Sequence, residues 1–247
     1  MGSVGLALFG LIHVRRRVPL AVQMEQNEVA GFFLAVLGVM YGVLLASAVI
    51  AAWEYFEEAR AVAEREANSV GDLRHIAEGM SEGLRAPVQE RVSAYARSVA
   101  FEEWPLLQQG GESPTSREHL DALWSLTLQY EPSGEREVAL YGKLLDEVQQ
   151  LNDQHRERLL ISRDGIPTLM WAALIRGGIV TVLFTYFFGL KSFRALLAMT
   201  ALYVVSIGFV LFLIAAVEYP YGGAIAIRPD AMELVISRID RLERARR

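Results

Sequence analysis

The sequence predicts an all-α membrane protein: three full transmembrane helices plus a short or truncated N-terminal one, with an extramembrane four-helix bundle inserted between the second and third spans. Three observations predict it. Residues 29–52 contain no charged side chain, and 24 residues make a helix of about 36 Å, enough to cross a bilayer with some tilt. Residues 166–190 and 195–217 are two further apolar runs of spanning length. Between them, residues 53–165 carry 22 acidic and 12 basic side chains in amphipathic order, as a water-exposed insert requires.

The chain accordingly divides into 1–52 (short first span, basic loop, second span), 53–165 (soluble acidic bundle), 166–217 (third and fourth spans) and 218–247 (tail with an amphipathic helix). Of its 247 residues 53% are hydrophobic, more than in most soluble domains and diluted by the insert. The insert has a formal charge of −10 and the remainder +5, which argues against nucleic acid as a partner. Cysteine is absent, so disulfides, thiolate metal sites and a cysteine nucleophile are excluded.

The first element is residues 4–14, apolar apart from His13 and too short to span, followed at once by Arg15, Arg16 and Arg17. A secretory signal places its positive charges before the apolar core, so the order fits the end of a membrane helix whose beginning is missing, or else a re-entrant or interfacial segment. Arg15–Arg17 and the pair Lys191 and Arg194 lie in short connections. Both belong in the cytoplasm under the positive-inside rule, which places the bundle and the tail outside. The terminal Arg244, Arg246 and Arg247 run against an external tail.

In the insert, Phe56, Ala63, Val70, Leu73, Ala77 and Met80 recur at spacings of three, four and seven, so the second span continues outward as one long helix until Gly79, Gly83 and Pro87. Pro87 suits the first turn of the next helix, whose stripe is Val88, Val92, Tyr95 and Val99 and which ends at Trp104-Pro105. A loop over 106–114 with Gly110-Gly111 precedes a helix carrying Leu120, Leu123, Trp124 and Thr127. A turn at 131–134 leads to a last helix over 135–161, with Val138, Tyr141, Leu145, Val148, Asn152, His155 and Leu159 on one stripe. Asp164 suits an N-cap for the third span. After the fourth span, Ile225 and Ile227 suggest a short extended piece. Met232, Val235, Ile239 and Leu242 line one face of a helix that lies on the bilayer or packs on the bundle.

The residues that draw a functional reading lie in the membrane. Glu28, Gly31, Ala35, Gly38, Gly42, Ala46 and Trp53 share one face of the second span, and Gly38, Gly42 and Ala46 form a small-residue ladder. That face serves either close helix packing, within or between subunits, or as the lining of a pore with Glu28 at its mouth; both favour a homo-oligomer. Arg176 is the lone charge inside the third span, so it needs a partner such as Glu218 or Glu54, or a wet pathway in which it attracts anions. Tyr203 and Ser206 share a face of the fourth span, where hydrogen bonds to a neighbouring helix are expected. Clusters such as Glu57-Glu58 and Glu64-x-Glu66 read as solvated faces. His75, His119 and His155 lack metal-ligand spacing, and no nucleotide, hydrolase or metalloprotease motif occurs. No catalytic residue, cofactor or metal is expected.

Several stretches resemble a family of bacterial membrane proteins that carry a domain of unknown function described as bestrophin-like. They are Asn27-Glu28-Val29-Ala30-Gly31-Phe32, Gly38-Val39-Met40-Tyr41-Gly42-Val43-Leu44-Leu45, Trp53-Glu54, Glu103-Trp104, Phe184-Thr185-Tyr186-Phe187-Phe188-Gly189 and Ala198-Met199-Thr200-Ala201. The resemblance runs from about Gln26 to Asp230. It implies four membrane helices with the helical insert between the second and third, and, by distant analogy, an oligomeric channel of the bacterial plasma membrane. Bestrophins conduct anions and carry their helical domain in the cytoplasm, opposite to the side that the basic loops favour. The expected function is an oligomeric channel for small ions; the alternative is a membrane-anchored sensor or scaffold whose bundle binds a ligand or protein partner.

Overall fold

The computed structural model describes residues 2–107, 109, 111–223 and 225–246, so Gly110 and Arg247 lie outside the described residues. Among them the chain is helical with no strand. The helices are α1 (Gly2–Arg17), α2 (Leu20–Glu25), α3 (Asn27–Glu78), α4 (Glu82–Ser98), a π-helix (Val99–Glu103), α5 (Trp104–Leu107), α6 (Pro114–Leu128), α7 (Glu135–Arg163), α8 (Thr168–Thr185), α9 (Phe193–Val217) and α10 (Asp230–Arg246). Three helical stretches are long and apolar enough to cross a membrane, within Asn27–Glu78, Glu135–Thr185 and Phe193–Val217, with mean hydropathies of 2.4, 1.6 and 2.5. Two compact units result, one of Met1–Glu54 and Ile166–Glu218, the other of Tyr55–Gly165 and Tyr219–Arg247.

In the first unit, α1 is a helix docked on its neighbours. Leu11 is buried with Tyr186 and Leu196, and the Tyr186 hydroxyl donates to the Ala7 carbonyl at 2.7 Å. Gly10 makes room for that ring, since a Cβ there would stand 2.9 Å from the Tyr186 hydroxyl. The third span is shorter than its apolar run: α8 ends at Thr185, and residues 186–192 turn back toward α9. The turn is pinned by a reciprocal pair, in which the Asn27 amide donates to the Gly189 carbonyl and accepts from the Gly189 N–H, both at 2.9 Å. Gly189 is required there, because a Cβ would meet the Gln23 side chain and the Met24 nitrogen at 2.7 Å. Arg15 donates to Gln23 at 2.5 Å and to the Leu190 carbonyl at 3.1 Å, which brings the two basic connections to one end of the unit.

In the second unit, the outer part of α3 runs unbroken to Glu78 and buries Ala59, Ala63, Val70, Leu73 and Ala77, as its spacing predicts. Pro87 sits inside α4 rather than in its first turn. Trp104-Pro105 does not end the helix either: the chain widens into the π-helix and continues through α5 to Leu107. Asp164 caps the C-terminus of α7, and Pro167 takes the N-cap position of α8. Residues 225 and 227 form no strand. The Ile227 N–H instead donates to the Pro220 carbonyl at 2.8 Å, and its carbonyl accepts from the Trp104 indole at 3.0 Å. α10 packs on the bundle, burying Met232, Ile236 and Ile239, while Leu242 points outward. The buried residues of α7 are Leu144, Val148, Leu151, His155, Arg158, Leu159 and Ile161; Val138, predicted inward, is exposed, and Leu140 and Tyr141 pack against the core at that end instead.

Candidate functional site

The face of α3 singled out in the sequence turns outward. Glu28, Ala35, Gly42, Ala46 and Trp53 are exposed, and Gly31 and Gly38 are half-buried. A Cβ built at Gly38 or Gly42 meets nothing within 4 Å, and one at Gly31 meets Phe188 at 3.9 Å. The close contact of α3 within the chain uses a different side. Tyr41 is buried against α8, its hydroxyl donating to the Leu174 carbonyl at 2.9 Å, and its ring fills the space that Gly177 and Gly178 leave. Those two glycines therefore give α3 its close approach to α8, and the ladder at Gly38 and Gly42 has open space beside it within the chain.

Arg176 is exposed near the midpoint of α8 and has no hydrogen bond or ion pair among the described residues. The expected partner Glu218 is buried and accepts from the Trp171 indole at 2.9 Å. Ser206 donates within its own helix, to Leu202 at 2.9 Å, rather than across to a neighbour. Two apolar clefts open on the first unit, of about 270 Å³ beside Leu34, Phe188 and Tyr203 and about 400 Å³ beside Leu6, Ile179 and Leu211. Neither is lined by a charged side chain.

The second unit contains a site that the sequence reading missed. Glu66 of α3, Tyr95 of α4, Glu103 of the π-helix, and His155 and Arg158 of α7 meet in its core; Glu66, Glu103, His155 and Arg158 are 0% exposed. The Arg158 guanidinium donates to both Glu66 oxygens, through Nε to Oε2 and through Nη2 to Oε1 at 3.0 Å, and Nη2 also reaches Glu103 Oε1 at 2.5 Å. The Tyr95 hydroxyl donates to Glu66 Oε1 and lies 3.1 Å from His155 Nδ1. Glu103 Oε2 accepts from the Ser113 N–H at 3.3 Å, so the cluster also holds the entrance to α6. Trp104 lies 5.3 Å under the guanidinium and packs edge-on to Tyr221.

The π-helix explains how Glu103 gets there. The neighbouring Phe101 and Glu102 are exposed, and the widened turn carries Glu103 inward beside Trp104. Burial alone would raise the Glu66 carboxyl, but the Arg158 charge, aided by the bonds that the guanidinium donates, outweighs it and holds it at about 2. Burial, then the Glu66 charge, pushes the Tyr95 hydroxyl well above its ordinary value, so it stays a donor. Burial would lower Arg158, but the two carboxylates more than restore it and it stays charged. Glu66 is thus a core ion-pair partner rather than part of a solvated face. A signal existed: Tyr95 and His155 lay on apolar stripes, Glu66 falls three residues after Ala63 and four before Val70, and Arg158 falls seven after Leu151. His75 is mainly exposed and His119 half-buried, so the three histidines do not converge. Among the described residues no group of three His, Cys, Asp or Glu could hold a metal ion; Arg158 fills the space between the two carboxylates.

Comparison with known proteins adds to this geometry. The family profile described as Bestrophin-like domain matches residues 1–232. A bacterial bestrophin homolog from Klebsiella pneumoniae superposes with a TM-score of 0.64 at 17% identity, over 96% of this chain and 95% of that one. A crystal structure described as a membrane protein superposes with a TM-score of 0.65 at 14% identity, over 96% of each chain. No curated protein is a detectable relative.

Proposed function

Because the chain belongs to the bestrophin-like family, we propose that this integral membrane protein works as an oligomeric channel for small ions, with anions favoured. The observation that carries the proposal is the outward face of α3: an uncharged spanning segment whose glycine ladder has open space at Gly38 and Gly42. In an oligomer that face provides either the contact between copies or the pathway, with Glu28 at one mouth and Trp53 at the other. Arg176 supports an anion. Residues 29–52, α1, α8 and α9 contain no Asp or Glu, so no copy supplies a counter-charge at the depth of this arginine. A charge there costs about 2.5–3.5 kcal/mol by insertion scales unless water or a mobile anion reaches it. The protein is placed in the bacterial plasma membrane with Arg15–Arg17, Lys191 and Arg194 in the cytoplasm and the second unit outside. That side is supported by the shared location of the two basic connections.

The test is ion flux through purified protein in liposomes, with the mass of the oligomer measured in the same preparation. Flux that Arg176→Ala shifts from anions toward cations, in an intact oligomer, is the expected result. A conducting, assembled Arg176→Ala variant with unchanged selectivity removes that role. A second reading is a sensor or scaffold, favoured by a cavity of about 490 Å³ in the second unit lined by Gln109, Ser162, Arg163, Tyr219 and Tyr221. A well-defined oligomer that passes neither cations nor anions under voltage, and whose melting shifts with a small-molecule ligand, establishes that reading instead.

A further inference from the structure

We propose that the first unit holds an anionic phospholipid, with its phosphate at the basic end of the unit and part of one acyl chain in the apolar cleft beside Leu34, Phe188 and Tyr203. The proposal rests on the chain being an integral membrane protein and holds whether or not it conducts. One observation is of charge. Arg15 donates to the Leu190 carbonyl at 3.1 Å, which fixes the first basic connection beside the 186–192 turn. Arg16, Arg17, Lys191 and Arg194 are exposed, and among the described residues none of their side chains has a hydrogen bond or ion pair. The carboxylates held at the same end are Glu25 and Glu28, on either side of the Asn27 that bonds Gly189, so the cations outnumber them. Uncompensated lysines and arginines at a membrane surface attract the phosphates of anionic lipids.

The other observation is of shape. The cleft of about 270 Å³ adjoins those charges: Leu190 lines it and directly precedes Lys191, while Leu196 lines it two residues after Arg194. From Leu196 it follows α9 to Tyr203, roughly 10 Å of helix. Its wall gives an acyl chain what it needs, since Leu34, Phe188 and Met199 are apolar and the Thr185 hydroxyl is already bonded to the Val182 carbonyl at 2.7 Å. A free phosphate would use the cations and leave the cleft unused. A zwitterionic lipid would use the cleft but bring a further positive charge to an end already rich in them. An anionic lipid uses both.

Native mass spectrometry of the full-length protein in an uncharged detergent counts the lipids bound to each chain, and the detergent removes any effect of these cations on membrane orientation. Phosphatidylglycerol is expected to bind at least about tenfold more tightly than phosphatidylcholine with the same acyl chains. Each cation removed should weaken phosphatidylglycerol by about fivefold, so Lys191→Gln combined with Arg194→Gln should erase the preference. Met199→Trp, which fills the cleft from its exposed side, should weaken both lipids. Arg238→Gln combined with Arg241→Gln removes two exposed cations of α10 in the second unit and should leave binding unchanged. Equal binding of the two lipids by the wild type overturns the proposal, as does a preference that survives in the folded Lys191→Gln, Arg194→Gln protein. Displacement of phosphatidylglycerol by inorganic phosphate at the lipid's own concentration also overturns it, because the cations would then serve a free anion. If the Lys191→Gln, Arg194→Gln protein fails to fold, the comparison of the two lipids on the wild type and on Met199→Trp decides.

Discussion

Arg158 is the side chain on which most depends in the second unit, because it neutralises two buried carboxylates at once. Arg158→Met should lower stability by about 3–5 kcal/mol in denaturant unfolding of the full-length protein, since Glu66 and Glu103 are left unbalanced. Arg163→Met, which breaks the exposed pair with Glu112, should change it by about 0–1 kcal/mol. Glu66 adds a pH signature of its own. Its folded carboxyl is held at about 2, below the ~4.3 of a free glutamate, so its contribution is complete above ~4.3 and is lost as pH falls toward 2. Melting temperatures between pH 5 and 2.5 should fall steeply in the wild type and less so in Glu66→Gln. These residues show what sequence patterns hide: an apolar stripe with one charge looks like a stripe with an error. Only the convergence of three such charges in space turns the errors into a network.

Among the elements, α3 carries two faces with opposite sensitivities. Gly177→Ala on α8 should disrupt the first unit, because its Cβ would stand 2.7 Å from the Tyr41 ring. A loss of about 1–3 kcal/mol, seen as a lower melting temperature, is the expected size of such overpacking. Gly42→Leu meets open space within the chain, so the single-chain fold should survive while native mass measurements show a smaller or broken oligomer. An unchanged oligomer in the Gly42→Leu protein would show that the ladder is not the contact between copies. The apolar helices and the unbroken length of α3 were legible because length and periodicity report them directly. The end of α8 was not, since residues 186–190 are as apolar as the helix before them. What stops the helix is the tertiary pair between Asn27 and Gly189. Both residues nevertheless lay in the stretches that carried the family resemblance.

For the whole molecule the decisive question is which side of the membrane holds the second unit. The chain contains no cysteine, so Glu131→Cys, in an exposed turn, places a single thiol on that unit. Labelling of intact cells by a membrane-impermeant maleimide is expected if the basic connections are cytoplasmic. Labelling only after the cells are opened would reverse the orientation and agree with the bestrophin resemblance. The all-helical class and three apolar helices could be read from periodicity and hydropathy, whereas sidedness could not, because long segments translocate largely regardless of charge.

The π-helix makes the length of this chain as consequential as its composition. A turn that accommodates one additional residue between Val99 and Glu103 sets the angular position of everything after it. Removing one exposed residue, such as Phe101, would restore ordinary α-helical winding and rotate Glu103 by roughly 100° away from Arg158. Substitution at Phe101 should therefore be harmless where its deletion is not.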